Sequence, residues 1–226
     1  TAGSTTKLDA IRAVARFVQG VRYLNVAAGR STAEPHPAPQ ILKNRFGDCE
    51  DKSVLTIALL REIGVEAYPV QARTSDIGPI TPEFPVPNHF NHTIVAVKVP
   101  ANDGGVPPAG VDADRLGRLV IFDPTASNTG FGDLPESLQG TRAVVSHPTA
   151  AMLLELPVLP PEASLRSSDV RISFAERGGI DVKATNTFTG QYAAARRGYY
   201  ESVRGDKRKE EFLTWLSGRF GKGEIR

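Results

Sequence analysis

The stretch RFGDCEDKSVLTIALLREIG, residues 45–64, constrains the fold more than any other part of the chain. Asp48 stands where a helix N-cap belongs. Val54, Leu55, Ala58, Leu59 and Ile63 follow as an apolar stripe, and Gly64 sits where a helix-ending glycine belongs. Three strand-like segments come directly after it: VEAYPVQAR, HTIVAVKV and RLVIFDP. In the second, Ile94, Ala96 and Lys98 alternate with Val95, Val97 and Val99. A helix feeding a run of strands describes an α+β domain.

An earlier amphipathic helix is expected over residues 7–21, with Leu8, Ile11, Val14, Ala15 and Val18 at helical spacings. STAEPHPAPQ follows, and its three prolines predict irregular chain. TSDIGPITPEFPVPN, between the first two strands, is too long for a hairpin turn and reads as a binding loop or lid. ANDGGVPPAGVDAD reads as a flexible surface turn. Prolines cluster at residues 157–164, so we expect a core domain over 1–156, a linker, and a partial second module over 165–226. That module reads as a hairpin turning at Gly178 and Gly179, then a charged helix. Its Tyr199, Tyr200 and Trp215 read as core or interface aromatics.

Composition excludes several classes of function. Lys and Arg number 27 against 25 Asp and Glu, with both signs spread along the chain, so nucleic acid is not expected as a partner. One cysteine excludes an internal disulfide framework and cysteine-rich zinc sites. No apolar run reaches the roughly 18 to 20 residues of a membrane helix. The chain opens on Thr1 rather than methionine, which suggests a processed product or an excised segment.

That single thiol, Cys49, stands between Asp48 and Glu50 at the predicted helix start. A helix N-terminus and a nearby imidazolium both favour a reactive thiolate, whereas carboxylates aimed at the sulfur oppose it. The flanking carboxylates are therefore expected to point elsewhere, with Asp48 capping and Glu50 and Asp51 complementing the helix dipole. His92 opens a strand, and Asp123 ends the next one before Pro124. Neighbouring antiparallel strands would bring the two together in a nucleophile, base and orienter arrangement. His89 competes with His92, while His36 and His147 read as surface-loop residues. The plain alternatives are a buried, inert cysteine and a turn aspartate before proline.

GDCEDKSVLTIALLREIGVEAYPVQART, FNHTIVAV and FDPTA together resemble the transglutaminase-like superfamily. EPHPAPQ and FGDLPESLQG match a bacterial branch of it, in which the core follows an N-terminal domain of unknown function. TNTFTGQYAAARR is similar to that branch's downstream β-rich domain. The resemblance implies a papain-like core with the cysteine helix packed on an antiparallel sheet. It also implies Cys49 as nucleophile, His92 as base and Asp123 as orienter.

Through a thioester, such a site hydrolyses or transfers peptide or side-chain amides, so a protein or peptide substrate is expected. The alternative is a catalytically idle scaffold or peptide-binding module in a larger envelope protein. The resemblance implies a bacterial, periplasmic or exported setting. Backbone N–H of Cys49 would supply one oxyanion donor, with Gln40 and Asn44 as candidates for the second. Asp48, Glu50 and Asp51 also resemble the DCED signature of calcium-dependent periplasmic cysteine proteases. Capping explains those residues without a metal, so no cofactor is expected and calcium is the alternative.

Overall fold

The structure, a computed structural model, describes residues 6–24, 34–80, 89–100, 107–174, 176 and 178–220. The chain divides into two units, Thr1–Ala163 and Ser164–Arg226.

In the first unit, α1 (Lys7–Gln19) starts at Thr6, whose side chain accepts from Asp9 N–H, and buries the five residues its periodicity singles out. α2 (Ala38–Asn44) lies in the segment expected to be irregular. Its Pro39 falls in the first turn, where a missing N–H costs nothing. Arg45 ends α2 at φ 60°, a conformation few non-glycine residues adopt, and its guanidinium lies 4.7 Å from the centre of the Phe17 ring.

α3 (Cys49–Glu62) follows immediately. Its C-terminus is a Schellman motif, with Gly64 at φ 68° and bonds from Gly64 N–H to Arg61 C=O and from Val65 N–H to Leu60 C=O. The apolar stripe read from sequence is only partly its buried face. Leu55 is buried, but so are Lys52, Ser53, Thr56 and Leu60, while Val54, Ala58, Leu59 and Ile63 are half-buried. The polar residues are tolerated inside because each finds a partner, as shown for Lys52 and Ser53 below.

Six antiparallel strands form one sheet: β3 (Ala67–Ala72), β4 (His92–Lys98), β5 (Gly110–Ala113), β6 (Gly117–Phe122), β7 (Arg142–His147) and β8 (Ala150–Glu155). Their order is β5-β6-β4-β3-β7-β8. The preceding two-residue strands, β1 (Arg22–Tyr23) and β2 (Phe46–Gly47), pair in parallel apart from it. β4 is central and buried on both faces. Val95 and Val97 join Ile11, Val18, Leu55 and Leu60 beneath the helices. Ile94 and Ala96 pack on the other side with Val70, Ile121, Leu138 and Leu156. Burying a branched side chain of this kind contributes about 1.5–3 kcal/mol, so β4 is the anchor for whatever its ends carry.

Two expectations are corrected here. Gly110–Ala113 is an edge strand and not flexible turn, because it pairs antiparallel with β6 and buries Ala113. His147 belongs to β7 and not to a loop, and its ring stacks on Tyr68 at 5.3 Å. Within the proline-rich stretch after β8, Leu156 and Leu159 are buried in this unit's core.

The second unit is a hairpin of β9 (Arg166–Phe174) and β10 (Ile180–Phe188), followed by α4 (Gly190–Ser202) and α5 (Gly205–Phe220). Gly178 takes φ 84° in the turn. The charged region expected as one helix is two, separated at Val203 and Arg204. Tyr199, Tyr200 and Trp215 are exposed, so they are not core residues of this unit. No helix among the described residues is long and apolar enough to cross a membrane.

Candidate active site

Three local features fix the start of α3. Asp48 caps it, accepting from Asp51 N–H at 3.0 Å. The β1–β2 bridge sets Tyr23 opposite Gly47, with Leu24 N–H bonded to Gly47 C=O at 3.0 Å. Lys52, one turn into α3, donates its buried ammonium to Val21 C=O at 2.8 Å and Gln19 C=O at 3.3 Å. Burial pushes this ammonium down to about 8, with the charge of Asp123 acting in the opposite direction. Two carbonyls at the end of α1 thereby tie that helix to α3. Gln19 extends the tie to the far side of the site through Ala126 C=O at 2.9 Å and Thr129 C=O at 2.6 Å.

Antiparallel register explains how two residues 31 positions apart meet. Val95 of β4 lies opposite Phe122 of β6, so the start of one strand adjoins the end of the other. His92 Nε2 is 2.9 Å from Asp123 Oδ2, with Asp123 buried and His92 half-buried. Asp123 Oδ1 accepts from Thr125 N–H at 2.8 Å and from Thr125 Oγ1 at 2.7 Å. Burial alone would raise the Asp123 carboxyl. The hydrogen bond and charge of His92, with the bonds from Thr125, instead hold it below the usual carboxylate range.

The His92 imidazole carries the largest consequence. Burial opposes its charge, but hydrogen bonds to Asp123 and Cys49, and the charges of both, push it up to about 10. The imidazole thus links Cys49 with Asp123. His89 does not take that place: Asp123 bonds to His92, and the His89 carbonyl accepts from Arg73 at 2.8 Å. Gln40 and Asn44 lie exposed on α2.

The three carboxylates around the thiol take three different directions. Asp48 caps the helix as expected. Asp51 turns to the loop before α2, accepting from His36 N–H at 2.7 Å and meeting its ring at 3.0 Å. Glu50 contradicts the expectation that the flanking carboxylates avoid the sulfur: Cys49 Sγ donates to Glu50 Oε2 at 2.9 Å. The reason is local. Glu50 Oε1 lies 3.3 Å from Thr93 Oγ1 on β4, so the side chain folds across the sulfur toward the sheet. Among the described residues, no group of three or more His, Cys, Asp or Glu side chains is arranged to hold a metal ion.

Tyr23 is a residue that periodicity and motif reading pass over. Burial, and then the negative charges of Cys49, Asp48, Glu50 and Asp123, raise its phenol above its ordinary value. It therefore stands among the groups of the site, 47% exposed. Two residues of parallel bridge put it there, too short a pairing for any hydrophobic pattern to announce.

Loop 74–91 is closed at its base. Thr74 N–H donates to Asn91 Oδ1 at 3.0 Å and Asn91 Nδ2 to Thr74 Oγ1 at 2.7 Å. Arg73 crosses the same base to the carbonyls of Ile77, Gly78 and His89. Residues 81–88 of the expected lid lie outside the described residues.

The family model of the transglutaminase-like superfamily matches residues 1–105. That span includes Cys49 and His92 and ends before Asp123. Comparisons with curated proteins and with solved structures found no match. A cysteine at a capped helix start, facing a histidine at the head of a central strand, lies wholly inside the matched span. Over residues 1–105, a little under half of its length, the chain is similar to the transglutaminase-like superfamily.

Proposed function

We propose that the first unit is a cysteine-nucleophile enzyme acting on peptide or side-chain amides through a thioester. The observation that carries this reading is the pairing of His92 Nε2 with Asp123 Oδ2 at 2.9 Å, with Cys49 among the groups that push the ring's proton affinity up. In the proposed cycle the sulfur attacks the amide carbonyl carbon as a thiolate, held beside the His92 imidazolium. The oxyanion is held by the Cys49 backbone N–H at the α3 N-terminus and by the Tyr23 phenol. As the tetrahedral species collapses, His92 gives its proton to the leaving amine and a thioester remains. Water or a primary amine then attacks with the now neutral His92 as base, releasing acid or new amide and restoring the thiolate and imidazolium. Asp123 keeps the imidazole oriented and stabilises its charge. No metal enters this cycle. An exported bacterial setting belongs to the same reading.

The test is incubation with a peptide library, with and without a primary amine, followed by mass. Cleavage products or amine adducts that vanish in Cys49→Ala are expected, with hydrolysis ahead of transfer. Peptide binding that survives Cys49→Ala, with no turnover by wild type, would instead establish a binding module and overturn the enzyme.

A further inference from the structure

The carboxylate on the nucleophile has no part in that cycle. Glu50 Oε2 accepts the Cys49 S–H at 2.9 Å, and a thiol can use its single proton in only one bond at a time. Among the described residues no cation forms an ion pair with Glu50, whereas Asp51 has His36 and Asp123 has His92. Its second oxygen is held weakly. Thr93 Oγ1 is 3.3 Å from Glu50 Oε1 and also 3.3 Å from Gln71 Oε1, so one hydroxyl proton serves two acceptors. Thr93 itself does not move easily, because its carbonyl accepts from Ser53 Oγ at 3.1 Å across the α3–β4 interface. Glu50 is therefore a carboxylate parked on the sulfur by a firm contact at one oxygen and a loose one at the other.

We propose that Glu50 is a positioning residue that keeps the resting Cys49 protonated, in competition with His92, and must leave the sulfur before attack. The inference rests on the reading of Cys49 as a nucleophile and adds the group that restrains it. Two neighbours pull the sulfur's proton in opposite senses. An imidazolium favours the thiolate, and an adjacent carboxylate both accepts the S–H and repels the negative sulfur. When Glu50 swings off, the S–H proton leaves to solvent and the thiolate stays beside the His92 imidazolium. No other atom is exchanged, and the reverse motion restores the thiol. The remaining groups facing this contact are Tyr23 on β1, Asp48 and Asp51 on α3, His36 against Asp51, and Asp123 with Lys52 behind His92. Of these, His92 is the cation that acts on the sulfur directly.

The experiment is the rate of Cys49 alkylation by iodoacetamide from pH 5 to 8 in wild type, Glu50→Gln, Glu50→Asp and His92→Ala. Glu50→Gln removes the charge at nearly constant shape. It should raise the rate at pH 6 by about tenfold, because the sulfur's anion no longer faces a carboxylate. Glu50→Asp keeps the charge but withdraws it by one methylene, and should fall between the two. His92→Ala should slow alkylation whatever residue 50 is, so a failure there strikes the enzyme reading alone. Superimposable profiles for wild type and Glu50→Gln, or slower alkylation of the variant, would overturn the inference. Should Glu50→Gln fold poorly, Thr93→Val loosens the same carboxylate without touching α3. Faster alkylation in that variant supports the proposal, and an unchanged rate counts against it.

Discussion

His92 and Asp123 each shift toward their charged forms, and the two shifts define a pH window for stability. The folded imidazole stays protonated up to about 10, against 6.5 when free, so its contribution is complete below 6.5 and is lost as pH rises through 10. Asp123 is lowered from 3.8, so its contribution is present above that value and is lost as pH falls through the lower, folded one. The pair therefore stabilises most between about pH 4 and 6.5. We predict that the melting-temperature gap between wild type and His92→Gln is widest near pH 5–6 and narrows toward pH 10. Lys52 runs the other way, since its lowered proton affinity makes the fold gain stability from about 8 upward, but it is common to both proteins and cancels. A gap unchanged between pH 6 and 10 would show that the ring is not held charged. At this scale the sequence placed Cys49 at a helix start and His92 and Asp123 at neighbouring strand ends, because caps and strand ends leave motifs. Glu50 was misread, because its direction depends on a side-chain rotation, and the sequence was silent on Tyr23, placed by a two-residue bridge.

The elements around the site are joined by contacts that no periodicity encodes. A Cβ at Gly47 would lie 2.5 Å from Asp51 Cβ, an atom fixed by the first turn of α3. Gly47→Ala should therefore destabilise by about 1–3 kcal/mol, read as a shift in the urea midpoint. Lys52→Met keeps the length but leaves the Val21 and Gln19 carbonyls without their donor, and should also cost about 1–3 kcal/mol. Two variants within experimental error of wild type would mean that α1, β2 and α3 are not locked together as described. The sequence did reveal the ends of α3, since Asp48 and Gly64 are short-range signals with one structural meaning each. Its buried face was misread. A stripe of aliphatic residues predicts burial only when the polar neighbours lack partners inside, and Lys52, Ser53 and Thr56 all have them.

At the scale of the whole molecule, the α+β class follows from a helix leading into strands, and β3, β4 and β6 were readable from their β-branched runs. β5, β7 and β8 escaped notice because they lie toward the sheet's edges, where burial on one face only leaves a weaker pattern. In the second unit Ala194 alone is buried among the described residues, while apolar side chains such as Ile172, Phe174, Ile180 and Trp215 lie exposed. The central claim concerns the first unit: Cys49 attacks a carbonyl carbon with the His92 imidazolium holding its thiolate. Its most direct test is the initial rate of acylation by p-nitrophenyl acetate, followed by intact mass, in wild type and His92→Ala. The account predicts a single acetyl group on Cys49, formed at least about 100-fold more slowly without the imidazole. Equal rates in the two proteins, or acetyl groups scattered over other residues with Cys49 unmarked, would contradict it.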